Sequence, residues 1–322
     1  MAQPARSGVR FTALVCAYSD ERWDDLCAVI RSLEGQTLPP EQIVAVIDHN
    51  PGLLERVRQQ FPRVTVTANA SNRGLSGSRN TGIKLATGDV IAFVDDDAVA
   101  EPDWLERLAA VFTSENILGA GGSVIPRWDG GRPRWFPDEF DWVVGCTYRG
   151  MPDKTAPIRN LIGCNMALRR TVFDEVGGFQ EQLGRIGKLP LGCEETELCI
   201  RARQRWPGGE MVFDPSAAVH HRVRLERATW HYFRQRCYSE GISKLQISRE
   251  IGSKDGLSSE RTYATRTLPL GALRNLAEVV VRLDIAGLAR AFAIVAGLTI
   301  TAVGYGSAAL SRRVAASGSE RS

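Results

Sequence analysis

Three consecutive carboxylates, Asp95-Asp96-Asp97, follow the apolar run Val90-Ile91-Ala92-Phe93-Val94. The run is short, mostly β-branched or aromatic, and bounded by Thr87-Gly88-Asp89, so it reads as a buried strand of a parallel sheet. Acids at the carboxyl end of such a strand place hard oxygen ligands on the edge where open α/β sheets bind their ligands. Three adjacent like charges repel one another, and a divalent cation relieves that repulsion. Magnesium is usually held by one or two carboxylates plus substrate phosphates. The triplet therefore points to a metal-held diphosphate, and so to a nucleotide. The same residues would serve equally well as a solvated acidic turn before the next helix, with Pro102 near its start.

Further chemistry-bearing residues lie on either side. Glu194-Glu195-Thr196-Glu197 opens a helical run through Arg205. The helix macrodipole favours acids in a first turn, but three in four positions exceed that need, which leaves one as a candidate general base. His220-His221 ends a strand-like alternation; His221 falls on the face of Ala217 and Val219, with His220 opposite. A vicinal pair beside a basic cluster suits a metal or a phosphate better than a single structural histidine. Gly74-Leu75-Ser76-Gly77-Ser78-Arg79-Asn80 is a glycine-containing turn entering a helix, whose amides could hold an anion with Arg79 adding a bidentate contact. Tyr18 could stack on a base. Asp48 could accept from a base N–H or a ribose hydroxyl, or simply form a turn before His49-Asn50-Pro51.

The elements that must position these groups alternate. Phe11–Tyr18, Ile43–Asp48, Val64–Ala68 and Val90–Val94 read as strands, separated by helices at Trp23–Leu33, Leu53–Phe61 and Gly74–Ala86. That alternation predicts a parallel, doubly wound sheet, with Tyr18, Asp48 and the triplet on one carboxyl edge. No G-x-G-x-x-G follows the first strand, which disfavours a dinucleotide site. From Pro126 to Asn160 the pattern turns irregular and aromatic. Trp128, Trp135, Phe136, Phe140, Trp142 and Tyr148 would either pack the segment's own core or meet sugar rings in an acceptor groove. Helix returns over Gly192–Trp206, short strands over Met211–Phe213 and Ala217–Val223, and a long amphipathic helix over Arg227–Arg249.

At 322 residues, 43% hydrophobic and 24% charged, the chain suits one large domain with an appendage. A net charge of +3 is too small to argue for a nucleic-acid partner. Locally, the arginines from Arg201 to Arg236 outnumber Glu210, Asp214 and Glu226, a surplus suited to phosphates or an anionic lipid surface. The seven cysteines form no C-x-x-C pair, as expected of a reducing cytosol. Met1 to Arg10 lacks the apolar core of a secretory signal. Ala291–Leu310 carries no formal charge and matches a bilayer core in length, while Leu268–Leu283 is amphipathic. Either a span, an interfacial hairpin or a soluble helical pair would satisfy these two segments.

Taken in order, the pieces resemble the family-2 inverting glycosyltransferases, nucleotide-diphospho-sugar transferases of the GT-A fold. The resemblance runs from about Phe11 to His221. It rests on Cys16-Ala17-Tyr18, Asp48, G-L-S-G-S-R-N-T-G at 74–82, V-D-D-D at 94–97, G-C-E-E-T-E-L-C-I-R at 192–201 and P-x-A-x-V-x-H at 215–221. It implies an α/β fold with a mostly parallel, Rossmann-like central sheet, flanking helices and a C-terminal helical appendage. A catalytic domain over 9–225 would divide into a nucleotide-sugar half (9–125) and an acceptor half (126–225). An amphipathic extension (226–265), apolar helices (266–314) and a flexible tail (315–322) would follow.

Ala17, Tyr18, Asp48, Arg79, Asp95 and Asp96 would hold the nucleotide, and Asp97 with His221 would bind Mg²⁺ or Mn²⁺. Family members carry Glu-Asp or Asp-Asp where this chain has Glu194-Glu195, so Glu195 aligns as the base with Glu194 as the alternative. The implied reaction moves one sugar, from a UDP- ahead of a GDP-sugar, to a hydroxyl of a polyprenyl-phosphate-linked or polysaccharide acceptor. It would take place in the cytoplasm, at the inner face of the cell membrane if the apolar helices dock there. The processive Q-x-x-R-W signature is unmatched at Phe233–Tyr238. A nucleotidyltransferase would share the aspartates but has no use for the later glutamates. A non-catalytic sugar-nucleotide module would be indifferent to Glu195.

Overall fold

The structure, a computed structural model, describes residues 8–183, 192–252 and 258–319. The chain separates into two compact units, one of residues 8–125, 152–183 and 194–221, the other of residues 126–151, 192–193, 222–252 and 258–319.

The first unit is built on a sheet that begins as the sequence predicts. β1 (Phe11–Ala17), β2 (Gln42–Ile47), β3 (Thr65–Ala68) and β4 (Val90–Asp95) pair in parallel, separated by α1 (Trp23–Glu34), α2 (Pro51–Gln60) and α3 (Leu75–Leu85). Local chemistry sets the helix starts. Asn50 caps α2 by accepting the Leu53 amide at 3.0 Å, with Pro51 in the first turn. Gly74 precedes α3 at φ 132°, a backbone region that excludes side chains.

After β4 the chain continues through β5 (Ala98–Ala100), α4 (Trp104–Val111), β6 (Ile117–Trp128), β7 (Ala156–Ile158), β8 (Asn165–Arg169), α5 (Arg170–Val176), α6 (Glu194–Arg205) and β9 (Glu210–Val223). The sheet order is β3-β2-β1-β4-β8-β6-β9-β5, with β7 beside β9. β8 joins β4 antiparallel and pairs the same way with β6, while β9 runs antiparallel to β5 and β7. The sheet is therefore mixed, parallel from β3 to β4 and antiparallel where β8 joins it. The acidic triplet does not cap a helix: β5 intervenes before α4, and Asp103 at the start of α4 makes no side-chain cap.

The core lies on both faces of the sheet. Leu14, Ile91, Phe93, Met166, Leu168, Val172, Leu198 and Met211 pack together on the α3, α5 and α6 side. On the other side Trp104 of α4 is fully buried, its indole N–H donating to Asn165 Oδ1 at 2.8 Å. The Asn165 amide donates in turn to the carbonyls of Ser123 (2.9 Å) and Ala217 (2.8 Å). One buried side chain thus joins β6, β8, β9 and α4. Asn165→Ala strands a donor and two carbonyls, and is expected to cost about 3–5 kcal/mol, read from the urea midpoint at unchanged slope.

The second unit contains α7 (Trp230–Glu250), α8 (Leu268–Val281) and α9 (Ala286–Ser319), with a short helix Ser258–Thr262 and a π-turn Tyr263–Thr267 leading into α8. α9 is helical through Ser319, past residue 315 where a flexible tail was expected; residues 320–322, and 253–257 of the expected extension, lie outside the described residues. The aromatic segment packs a core of its own. Phe136 and Phe140 are buried against Phe233 of α7, with ring centroids 5.5 and 5.2 Å away. Trp142 donates to the Tyr263 hydroxyl at 2.9 Å, and that hydroxyl donates to the Glu139 carbonyl. Those rings are committed to packing. The seven cysteines are free thiols, and burial pushes Cys199 and Cys237 up to about 12.

Candidate active site

The register of β1 against its neighbours assembles the site. Ala17 pairs with Ile47 and Cys16 with Asp95, so β1, β2 and β4 end together. Ala17, Tyr18, Asp48 and the Asp95–Asp97 triplet consequently share one sheet edge, as the alternation required. Tyr18 is 56% exposed, with the Arg22 guanidinium 5.4 Å from its ring centroid. Asp48 is held by the Asn69 amide (2.8 Å), the Gly74 backbone N–H (2.9 Å) and His49 Nδ1 (2.7 Å). The glycine turn before α3 therefore receives a carboxylate of its own chain at its first amide.

The triplet divides by environment. Asp95 is partly exposed and accepts from Arg79 Nη2 at 3.2 Å. Asp96 and Asp97 are buried, and one guanidinium serves both: Arg22 Nη1 lies 2.6 Å from Asp96 Oδ1 and 3.0 Å from Asp97 Oδ2. Burial pushes the Asp96 carboxyl up to about 7, against the pull of Arg22. Its second oxygen is buried without a hydrogen-bond partner. Asp97 Oδ1 faces His221 Nε2 at 3.2 Å. That approach follows from the pairing of Ala98 on β5 with His221 on β9, which also turns His220 away to Glu101.

These residues fit a divalent cation. Asp97 and His221 offer an oxygen and a nitrogen side by side, and Asp96 keeps an unsatisfied buried oxygen next to them. No group of three or more His, Cys, Asp or Glu suited to a metal occurs among the described residues. A cation there would complete its shell with substrate phosphates and water, the usual habit of magnesium at nucleotide sites.

The glutamates separate cleanly. Glu194 is buried at the start of α6 and accepts from Arg79 Nη1 at 3.1 Å. Arg79 is itself only 2% exposed, and its Nη2 also donates to the Gly163 carbonyl at 3.0 Å. It joins Asp95 on β4 to Glu194 on α6, so a phosphate contact from Arg79 would require exchange of these partners. Glu195 is the half-buried neighbour, on the same first turn. Cys193, just before the pair, adopts φ 81°, a region costly for a residue with a β-carbon.

Sequence reasoning missed Arg22, Asn69 and Glu101. Arg22 follows the first strand end in Ser19-Asp20-Glu21-Arg22, where a cation after a ligand-binding edge is the signal that was available. Removing it leaves two buried carboxylates opposed, and Arg22→Met is expected to destabilise the unit by about 3–5 kcal/mol in chemical denaturation.

The chain belongs to glycosyl transferase family 2, whose family description it matches over residues 12–177. It is 36% identical over 240 residues to the glucosyl-dolichyl phosphate glucuronosyltransferase of Haloferax volcanii, covering 73% of this chain and 76% of that protein. It is 28% identical over 283 residues to the succinoglycan biosynthesis protein ExoM of Rhizobium meliloti, covering 81% and 86%. Among solved structures it resembles the mannosyltransferase PcManGT from Pyrobaculum calidifontis in complex with GDP-Man and Mn²⁺, with TM-score 0.57 and 15% identity over 91% of this chain and 87% of that one. GalNAc-T7 with UDP, GalNAc and Mn²⁺ gives TM-score 0.54 and 17% identity over 80% and 58%. The fold is GT-A, and the protein is a glycosyltransferase.

Proposed function

We propose that this glycosyltransferase is metal-dependent and inverting. It moves a single hexose-type sugar from a nucleoside diphosphate, UDP ahead of GDP, to a hydroxyl of a lipid-linked or polysaccharide glycan. The observation that carries the reading is the meeting of Asp97, His221 and the orphaned Asp96 oxygen on the edge that Arg79 ties to the Glu194-Glu195 helix. Mn²⁺ complexes among the structural neighbours, and a dolichyl-phosphate-sugar relative, support it.

Each residue has a part in this reading. Tyr18, exposed at the edge, stacks on the nucleobase, Asp48 accepts from the nucleoside, and the backbone at Ala17 lines the same nucleoside pocket. Asp95 and Asp96 orient the donor, and Asp97 with His221 holds Mg²⁺ or Mn²⁺, which when bound neutralises the departing diphosphate. Glu195 takes the acceptor hydroxyl proton as that oxygen attacks the anomeric carbon from the side opposite the diphosphate. Glu194, paired with Arg79, positions the helix, so Glu195 is preferred as the base. Residues 9–125 supply the donor half and 126–225 the acceptor half, at the cytoplasmic face of a membrane.

A donor screen monitoring nucleoside diphosphate release, with Mg²⁺, Mn²⁺ or chelator and with detergent-solubilised lipid-linked glycans, tests this reading. Metal-dependent release with one nucleotide sugar and inverted anomeric configuration by NMR is the expected result. Metal-independent transfer, or retention, overturns it.

A further inference from the structure

The second unit carries a helical hairpin that is turned inside out. Of the charged residues between Leu268 and Leu310, Arg274 pairs inward with Glu139, and Arg290 with Glu278 and Asp284. Only Arg282 is left outside, at the turn. The outward stripe of α8 is Leu270, Leu273, Leu276 and Val280; that of α9 runs through Leu288, Phe292, Val295 and Val303. Both stripes recur at helical spacing and are wholly uncharged. At the turn itself Val280, Val281, Leu283 and Ile285 are between 74% and 82% exposed. Leu283 adopts φ 53°, where a helix end ordinarily takes glycine or asparagine. A bulky apolar side chain held in strain at an exposed tip calls for an apolar environment around it.

The opposite face of α9 says what kind of environment. Ala286–Leu310 is long and apolar enough to cross a bilayer, with mean hydropathy 1.8. Yet it lies against α7 at backbone contact. A Cβ on Gly241 would come within 2.1 Å of the Thr301 carbonyl, and one on Gly304 within 2.2 Å of the Tyr238 carbonyl. Tyr238 and Ser307 hydrogen-bond across the same seam at 2.8 Å. α7 carries Arg234, Gln235 and Arg249 exposed, so it cannot enter hydrocarbon with its partner.

We propose that α8 and α9 form a monotopic lipid-docking face that sinks side-on into one leaflet of an anionic membrane, and that α9 does not span. Among the described residues, the exposed charges around the hairpin, Arg261, Arg266 and Arg282, are all basic and complement anionic headgroups. A second copy docked on the same face would set these basic residues against their like. The inference sharpens the membrane contact of the proposed function and rests on that contact, not on the sugar chemistry.

Flotation with phosphatidylcholine vesicles containing phosphatidylglycerol tests it on the full chain. Wild type is expected to float, less so without phosphatidylglycerol, and the Leu273→Gln/Val280→Gln/Phe292→Gln variant to stay at the bottom while retaining donor turnover in solution. Loss of turnover together with flotation would reflect misfolding, so a second variant, Ser322→Cys, reads topology with the native face left intact. Its thiol is expected to react with a membrane-impermeant maleimide added outside sealed vesicles. Protection until detergent is added would mean a span and overturn the proposal. Absence of flotation with a dimer in sedimentation velocity would assign the face to a second copy and overturn it too. Failure of the transferase reading would instead leave flotation intact with no donor consumed.

Discussion

Glu195→Gln is expected to lower turnover by about 10²–10⁴-fold, the range that a positioned general base contributes. The amide keeps the size and hydrogen-bonding reach of the carboxylate but cannot take a proton. Nucleotide-sugar affinity, measured by calorimetry in the presence of metal, should therefore stay within a few-fold of wild type. Glu194→Gln separates the two glutamates. It removes one partner of the buried Arg79 pair, where Arg79 Nη1 lies 3.1 Å from Glu194 Oε1. The expected loss is about 3–5 kcal/mol of stability, because Arg79 is left without its full complement of charge. Unchanged turnover in Glu195→Gln, with a collapse in a stably folded Glu194→Gln, would transfer the base role to Glu194.

The second large effect is expected at Asp97. Asp97→Asn keeps the shape but removes the charge that faces both Arg22 and His221. In the proposed reading it weakens Mn²⁺-dependent nucleoside diphosphate binding by at least an order of magnitude and lowers turnover by several. Titration of UDP or GDP with and without Mn²⁺ reads this directly: wild type should show a large metal-dependent gain and Asp97→Asn little. The same gain in both proteins would remove Asp97 from the metal site. His221→Gln is expected to reproduce the defect in part, since it deletes the nitrogen but leaves the carboxylate.

The parallel half of the fold was legible because its strands are apolar and separated by helices with recognisable starts. Asn50-Pro51 and Gly74 marked those starts through capping and backbone chemistry, and β1 to β4 fall within a residue or two of the predicted runs. The antiparallel half was not. β6 reads Ile-Leu-Gly-Ala-Gly-Gly-Ser-Val-Ile-Pro-Arg-Trp, a strand in which Gly119, Gly121 and Gly122 dilute the β signal. Gly122 is there because a Cβ would lie 1.8 Å from the Ala217 carbonyl, a demand that only the folded sheet reveals. β9 was split by Asp214-Pro215, residues that usually break strands but here lie within one.

In the site, Asp48 and Asp95–Asp97 could be placed on one edge from strand ends, whereas alternation gave only the face of His221, and its approach to Asp97 comes from the pairing of β5 with β9. Arg22 could not be placed, because its role depends on a short turn folding back over the triplet. Arg79 was visible as a cation at a helix start, which suggested a phosphate. That its guanidinium is occupied by Asp95, Glu194 and Gly163 follows from approaches across 16, 115 and 84 residues of chain, beyond the reach of any local pattern.

The Arg79 bridge has a consequence for how such a site could diversify. A planar guanidinium with a fixed fork of donors sets the heading of α6 from the sheet itself, so the acid-bearing helix inherits its alignment from β4. Lysine at this position would offer a point charge and lose the angular constraint. In the proposed reading, a relative that keeps arginine here keeps the setting of the Glu194-Glu195 turn against Asp95 of β4, so its acceptor preference would change through segments away from α6.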